Sequence, residues 1–272
     1  MNHSFRPLPL LLLCAATLFS AGCKSVPGYP KPGPEVPRPE AVLDFPTLYQ
    51  QNCSGCHGTD GHSGAALPMN NAAYLAVAGP DNLRNVIADG VKGSLMPPFA
   101  HSAGGMLTDQ QIDALVHGML TEWGRPAEFA HVSLPPYAAT APGNPANGQK
   151  VFAAACASCH GDDGTGVKPM PSGKPADENA TTGSIVDQSY LALVSDQGIR
   201  SFVLAGHAQQ HIPDWRGYLT GPGAHALTPQ EISDVVAWLT AHRSTAAMPA
   251  AQDPHAPDSA PQALAPPAKE TP

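Results

Sequence analysis

Two short segments concentrate the residues that do chemistry, Cys53-Ser54-Gly55-Cys56-His57 and Cys156-Ala157-Ser158-Cys159-His160. Two thiols one helical turn apart, followed at once by an imidazole, form the CxxCH pattern that attaches haem of the c type. The thiols add to the two vinyl groups of one porphyrin, and the histidine is placed to coordinate the iron from below. With 6 Cys and 12 His in 272 residues, chance would yield roughly 0.006 such patterns per chain, so two are not an accident of composition. Zinc is the weaker reading, because neither segment has further ligands at finger-like spacing to close a tetrahedral site. A thioredoxin-like dithiol is weaker too: no βαβ pattern surrounds either pair, and the histidines would go unexplained. Cys53, Cys56, His57, Cys156, Cys159 and His160 are therefore the candidate cofactor-binding residues for two covalently attached haem c groups, with His57 and His160 as iron ligands.

The elements that must position these residues recur as an internal repeat. Each motif follows an aromatic residue four positions upstream, Tyr49 or Phe152, on a predicted short helix, and precedes a Gly-x-Asp-Gly turn, Gly58 to Gly61 or Gly161 to Gly164. The halves then run in ungapped register at an offset of 116: Tyr74-Leu75-Ala76 matches Tyr190-Leu191-Ala192, Arg84 matches Arg200, Gly90 matches Gly206 and Pro97 matches Pro213. At an offset of 120 each half ends in an amphipathic helix. Thr108 to Gln111 and Thr228 to Glu231 read as capping boxes, the second with Pro229 at the favoured first helical position. Ile112, Leu115, Val116, Met119 and Leu120 recur at helical spacing, as do Ile232, Val235, Val236 and Leu239, so these stripes are predicted core. The fold class expected is all-α, two small helical domains in tandem joined by Pro-rich linkers.

With these motifs in place, each half resembles a class I cytochrome c domain, and the whole is similar to bacterial dihaem cytochrome c lipoproteins. The resemblance covers about residues 41–125 and 144–243. It implies a sixth iron ligand from a methionine, commonly followed by proline, in the loop before the last helix. Met96, in Leu95-Met96-Pro97-Pro98-Phe99, meets that pattern in the first domain. Met69 is an alternative without a comparable setting, and Met106 and Met119 read as loop and core residues.

The second domain departs from the pattern. The repeat partner of Met96 is Ile212, in His211-Ile212-Pro213-Asp214-Trp215, and an isoleucine has no lone pair to offer iron. Three states remain open: His211 as sixth ligand after a local backbone shift, His207 from the preceding turn, or an iron left five-coordinate or water-bound. His211 is the tentative metal ligand. Neighbouring residues of an extended segment point to opposite sides, so His211 is not automatically aimed where Ile212 aims. Met170 also precedes a proline but lies too soon after His160. His62, His101, His117, His131, His225, His242 and His255 read as solvated. Arg84, Arg200 and Arg216 are candidates to hydrogen-bond a propionate.

The flanks carry targeting information. Residues 1–22 have one positive charge at Arg6, no acid, and an apolar run from Leu8 to Phe19, the layout of a bacterial export signal and too short to span a bilayer comfortably. Ala21-Gly22 before Cys23 resembles a lipobox, which implies lipidation of Cys23. Residues 23–40 form a tether with six prolines, 126–143 a linker that permits some hinge freedom between the domains although interhaem transfer favours a fixed contact, and 244–272 an Ala/Pro-rich tail. Of the six cysteines, Cys14 leaves with the signal, Cys23 takes lipid and the other four take haem. Pro (31) and Gly (26) make about a fifth of the chain, which suits small domains and wrapping loops better than one large globule. A formal charge of -8 argues against nucleic acid as a partner.

The resemblance then implies a periplasmic electron carrier anchored to a membrane by lipid and serving redox partner proteins such as an oxidase, a dehydrogenase or a quinol-oxidising complex. No enzymatic activity of its own is expected. Two alternatives stand beside it: a haem enzyme or gas/peroxide sensor with an open site at the second iron, and a cytochrome subunit of a larger respiratory complex.

Overall fold

Local capping explains where the helices begin in the computed structural model, which describes residue 33, residues 36–167 and residues 183–244. The expected export signal, Cys23, Met170, His255 and the tail beyond residue 244 lie outside those residues. In chain order the helices are α1 (Phe45–Asn52), α2 (Ser54–His57), α3 (Ala72–Asp89), α4 (Asp109–Glu122), α5 (Pro126–Phe129), α6 (Pro145–Ala155), α7 (Ala157–His160), α8 (Gln188–Leu193), α9 (Asp196–Ala205) and α10 (Pro229–Thr240). Short 3-10 turns lie at Pro39–Ala41, His101–Ala103 and Ala208–Gln210. Among the described residues no strand forms beyond two isolated bridges, Ala100 with Leu107 and His207 with Ile212. The expected all-α fold is what the chain adopts.

The chain divides into residues 1–42 and 43–272. In the first unit, the described residues contain the turn at Pro39–Ala41. The second unit holds both repeats.

Each repeat starts from a capped helix. Asp44 accepts the Thr47 N–H at 3.0 Å to open α1, and Asn144 accepts the N–H groups of Ala146 and Asn147 at 3.0 and 3.2 Å to open α6, satisfying donors that a bare helix end leaves orphaned. Each repeat ends in a helix with the expected capping box, Thr108 with Gln111 on α4 and Thr228 with Glu231 on α10. The central segments share one break. Gly79, at φ 65°, interrupts α3 just before Pro80, and its repeat partner Ser195 separates α8 from α9, accepting the Gly198 N–H to cap the latter.

Burial follows the predicted stripes. Phe45, Leu48 and Tyr49 of α1 pack with Ile112, Leu115, Val116 and Met119 of α4, while Val151 and Phe152 of α6 pack with Ile232, Val235, Val236 and Leu239 of α10; all are buried. Buried aliphatic and aromatic side chains of this size contribute about 1.5–3 kcal/mol each, so the first and last helices of a repeat hold one another.

The linker at 126–143, whose composition permits some hinge freedom, is engaged by the second repeat. Phe129 of α5 stacks on Trp215 at 6.2 Å between ring centroids, and the Arg216 guanidinium lies over both rings at 4.7 and 5.3 Å. Arg200, buried on α9, donates to the carbonyls of Pro136 at 2.8 Å and Tyr137 at 2.9 Å. The Asn71 side chain at the start of α3 donates to the Ala205 carbonyl at 3.0 Å, so the two repeats also bond directly.

Candidate haem sites

Both CxxCH motifs take the same local form, and the hydrogen-bond ladder says why. The first cysteine ends the preceding helix, with its N–H on the carbonyl four residues back: Cys53 to Tyr49 and Cys156 to Phe152, each at 2.8 Å. A new single helical turn then closes on that cysteine's own carbonyl, His57 to Cys53 and His160 to Cys156, each at 3.0 Å. This turn sets the second thiol and the imidazole on one short helix, α2 or α7, with the first thiol at its N-cap, braced against the longer helix before it.

The thiols differ within each pair. Cys53 and Cys156 are half-buried and Cys56 and Cys159 exposed. Burial pushes the Cys53 and Cys156 thiols up to about 12, opposite to the depressed thiol of a dithiol redox motif. Among the described residues no group of three or more His, Cys, Asp or Glu gathers as a metal site, where tetrahedral zinc would need four donors.

The imidazoles suit iron. His57 is buried and its Nδ1 lies 2.7 Å from the Leu67 carbonyl. An Nδ1–H donated there leaves Nε2 with its lone pair free, the tautomer and orientation a metal-ligating histidine needs. Burial pulls the pKa of His57 down, against a smaller upward pull from Leu67, and burial alone lowers that of His160; both favour the neutral, ligating form. His160 Nδ1 is enclosed and makes no hydrogen bond. The Tyr49 hydroxyl donates to the Gly58 carbonyl at 3.0 Å and ties the end of α2 to α1. Phe152, its counterpart, lacks the hydroxyl and instead lies 4.2 Å from the Trp238 ring. The donor sets, two thiols and one neutral imidazole apiece, fit covalent haem c.

The expected Gly-x-Asp-Gly turns follow each motif and are closed by their aspartates. Asp60 accepts the N–H groups of His62 and Ser63 at 3.0 and 2.9 Å, and Asp163 accepts that of Thr165 at 3.0 Å. The Ser63 and Thr165 hydroxyls donate to the same carboxyls, and together with these N–H bonds they hold both below the usual carboxylate range.

The loops before α4 and α10 have matching backbones. Gly90 and Gly206 both adopt positive φ, 67° and 63°. A Cβ at Gly90 would meet the Pro97 carbonyl carbon at 2.6 Å, and one at Gly206 the Pro213 carbonyl oxygen at 2.2 Å. Only glycine serves at such a close approach with positive φ. The next residue then pairs across the loop: Val91 donates to the Met96 carbonyl at 3.0 Å, and His207 to the Ile212 carbonyl at 2.8 Å. Ile212 thus stands where Met96 stands, as the repeat register requires. Met96 is half-buried, beside the exposed Leu95. Met69 is buried, Met119 is core and Met106 is 80% exposed.

His211 has a different setting. It is the one non-glycine residue with positive φ among the described residues, at 61°, and its side chain is exposed. It lines an open groove of about 680 Å³ with Ile212, Asn71, Phe129 and Arg216. His207 is half-buried, with Nδ1 enclosed and unpartnered.

The three arginines are committed elsewhere. Arg84 bonds Asp109 and Asp113, each at 2.8 Å; Arg200 holds the linker; Arg216 pairs with Asp214 at 2.7 Å. Among the remaining histidines, His117 and His131 are exposed, as expected, while His62 lies 3.3 Å from Asp60 and His225 3.1 Å from Glu231. The Leu67 carbonyl and the Tyr49 hydroxyl are the supports that sequence reasoning missed; the first is a backbone group and leaves no signal in side-chain identity.

Two known families match these two segments separately. The family described as cytochrome c matches residues 145–243, and the family described as cytochrome c oxidase, cbb3-type, subunit III matches residues 41–117. The cbb3-type cytochrome c oxidase subunit FixP of Sinorhizobium medicae is 31% identical over 50% of this chain and 45% of its own length. The subunit FixPc of Rhizobium leguminosarum bv. viciae is 29% identical over 69% of this chain and 59% of its own, and the subunit CcoP of Rubrivivax gelatinosus 27% over 52% and 40%. The chain spans about half the length of the curated relatives it matches. A chain of the Kuenenia stuttgartiensis reducing HAO-like protein complex aligns at TM-score 0.44 and 18% identity, over 77% of this chain and 100% of that one, too loose a likeness to bear on function. The helical fold, the paired attachment turns and the two family matches converge on one description: the chain carries cytochrome c-like domains with two covalently attached haem c groups.

Proposed function

We propose that this protein is a membrane-tethered dihaem c-type cytochrome on the periplasmic side of a bacterial membrane, passing single electrons to or within a terminal oxidase of the cbb3 type. One observation carries the reading: two copies of the same attachment turn sit in one packed unit, with the linker between them pinned by Arg200 and by the stack of Phe129 on Trp215. Bound haem c supplies a one-electron couple whose potential is set by axial ligand, burial and hydrogen bonding.

The chain's own part is to hold and orient. Cys53 and Cys56, and Cys156 and Cys159, are the attachment points, and His57 and His160 the proximal ligands. Met96 is the sixth ligand at the first site. The engaged linker fixes the separation of the two sites, where a free tether would let it vary. The resemblance of residues 41–117 to an oxidase subunit favours an oxidase over a dehydrogenase or a quinol-oxidising complex as the partner. Lipidated Cys23, after export directed by residues 1–22, provides the anchor.

Two experiments test this. The full chain, expressed with haem-maturation machinery and purified from membranes, is mixed rapidly in its reduced form with a cbb3-type oxidase; oxidation of both haems within the oxidase's turnover time is expected, and no transfer would remove the oxidase as partner. Cys23→Ser should release the protein into the soluble periplasmic fraction, and retention at the membrane would overturn the lipid anchor.

A further inference from the structure

We propose that His207 is the sixth iron ligand at the second haem, an assignment that rests on the dihaem reading above. His207 and Ile212 exchange both backbone hydrogen bonds, His207 N–H to Ile212 O at 2.8 Å and Ile212 N–H to His207 O at 3.1 Å, and form an isolated antiparallel bridge. Residues paired in this way present their side chains on the same face. Ile212 occupies the place of Met96, so His207 emerges beside the position from which the first domain offers its thioether.

The counterpart of His207 is Val91, whose N–H bonds the Met96 carbonyl in the same way. Between the repeats the pair Val91/Met96 therefore becomes His207/Ile212. The residue with a lone pair has moved from one member of the pair to the other, and an aliphatic residue has moved the opposite way. Replacing Met96 by Ile212 alone would leave a polar site without its ligand; the paired exchange restores one.

The imidazole itself is enclosed in the manner of the proximal histidine of its own domain. His207 Nδ1 is enclosed and bonds nothing, as does Nδ1 of His160, and these are the two such side-chain atoms among the described residues. A buried polar atom without a partner costs about 1–3 kcal/mol, and both costs fall on histidines of one domain. With the proton on Nδ1, where nothing competes for it, each imidazole keeps the Nε2 lone pair free for iron. His211 lacks every one of these features: its backbone is left-handed, its ring is exposed, and it is not bridged to Ile212.

Electron paramagnetic resonance and carbon monoxide difference spectra of the oxidised and reduced full-length holoprotein decide the matter, with mass spectrometry counting the attached haems. The wild type should show a bis-imidazole low-spin signal from one iron and no carbon monoxide adduct at that iron. His207→Ala should lose the signal and gain one carbon monoxide site per chain, while His211→Ala changes neither. His207→Met, which keeps a ligand, should retain low-spin iron but replace the bis-imidazole signal and raise that haem's midpoint potential. A bis-imidazole signal that survives both His207 variants, a carbon monoxide site already open in the wild type, or one opened by His211→Ala would each overturn the assignment. Should His207→Ala not assemble, the His207→Met spectrum alone is decisive, since persistence of the original signal refutes the proposal. Fewer than two haems in the wild-type mass spectrum would instead count against the dihaem reading.

Discussion

The ring of Phe45 occupies the space that a side chain at Gly118 would need: a Cβ there would lie 2.1 Å from Phe45 Cγ. In the second repeat the roles reverse. Gly148 stands at the place of Phe45 and Trp238 at the place of Gly118, and a Cβ at Gly148 would meet the Asp234 carbonyl oxygen at 1.9 Å and Trp238 Cβ at 2.9 Å. Each crossing of first and last helix thus sets one aromatic against one glycine, and the two repeats solve it with opposite assignments.

The two glycines should not respond equally to alanine. Alanine gains about 1 kcal/mol of helix propensity at either place, while overpacking costs about 1–3 kcal/mol or more. At Gly118 the obstacle is the Phe45 side chain from its Cβ, 2.6 Å away, outward, relieved by a small shift of α1 together with a turn of the ring, so Gly118→Ala should lose about 2 kcal/mol net. At Gly148 the obstacle is backbone, which cannot move without parting α6 from α10, and a loss of about 3 kcal/mol is expected. Urea denaturation of the two holoprotein variants measures this, and equal losses would refute the distinction.

Arg200 provides a second test. Its guanidinium, 2% exposed, reaches two linker carbonyls and the Ser233 hydroxyl at 3.3 Å, and burial pulls its pKa below the ordinary guanidinium value. Arg200→Lys keeps a charge but not the planar fork, so at least one carbonyl is left unpaired and stability should fall by about 2–4 kcal/mol. Amide exchange should speed up around Val132 to Tyr137. Exchange there as slow as in the wild type would mean that the linker is held by something else.

Much of this was legible in the residues because local rules govern it. CxxCH marks the attachment turns, the capping boxes mark α4 and α10, and the spacing of Ile112, Leu115, Val116 and Met119 marks their buried face. Arg200 was not legible: its repeat partner Arg84 is an exposed helical arginine paired with Asp109 and Asp113, and identical residues in register gave no hint that one anchors a linker. Nor was the pairing of His207 with Ile212, because sequence gives neighbours along the chain and the pairing is made across a loop. The engaged linker escaped for the same reason, since prolines between Arg125 and Ala146 mark a break in helix without saying what the broken segment touches.

Asp234 predicts a pH dependence. It is 2% exposed on α10 and accepts from Asn144 N–H at 2.7 Å, the Asn147 side chain at 2.6 Å and the Gln230 side chain at 2.8 Å. Burial pushes its carboxyl up, and the three donors more than reverse that, so the folded pKa lies below the ordinary value. An unfolded Asp titrates near about 3.9, so below that pH the unfolded chain binds more protons than the folded one. The stabilisation is complete above the unfolded value and drains away as pH falls through the folded value. Asp234→Ala should cost about 2 kcal/mol at pH 7 and flatten the acid limb of the stability curve. An unchanged acid limb in the variant would show that other carboxylates set it.

Met96 separates the two haem sites most sharply. On the proposed assignment of Met96 as sixth ligand, its thioether would favour the reduced iron and hold the first site closed. Met96→Ala should open one carbon monoxide site per chain and lower the midpoint potential of that haem, with the other haem's spectrum unchanged. Met69→Leu, at a buried side chain of similar volume, should leave both potentials within experimental error. If Met69→Leu opens the site and Met96→Ala does not, the ligand assignment at the first domain reverses. The pair also tests the exchange between repeats: with Met96 removed, Val91 cannot substitute as His207 would beside Ile212, so the first site has no second donor across its loop and must open.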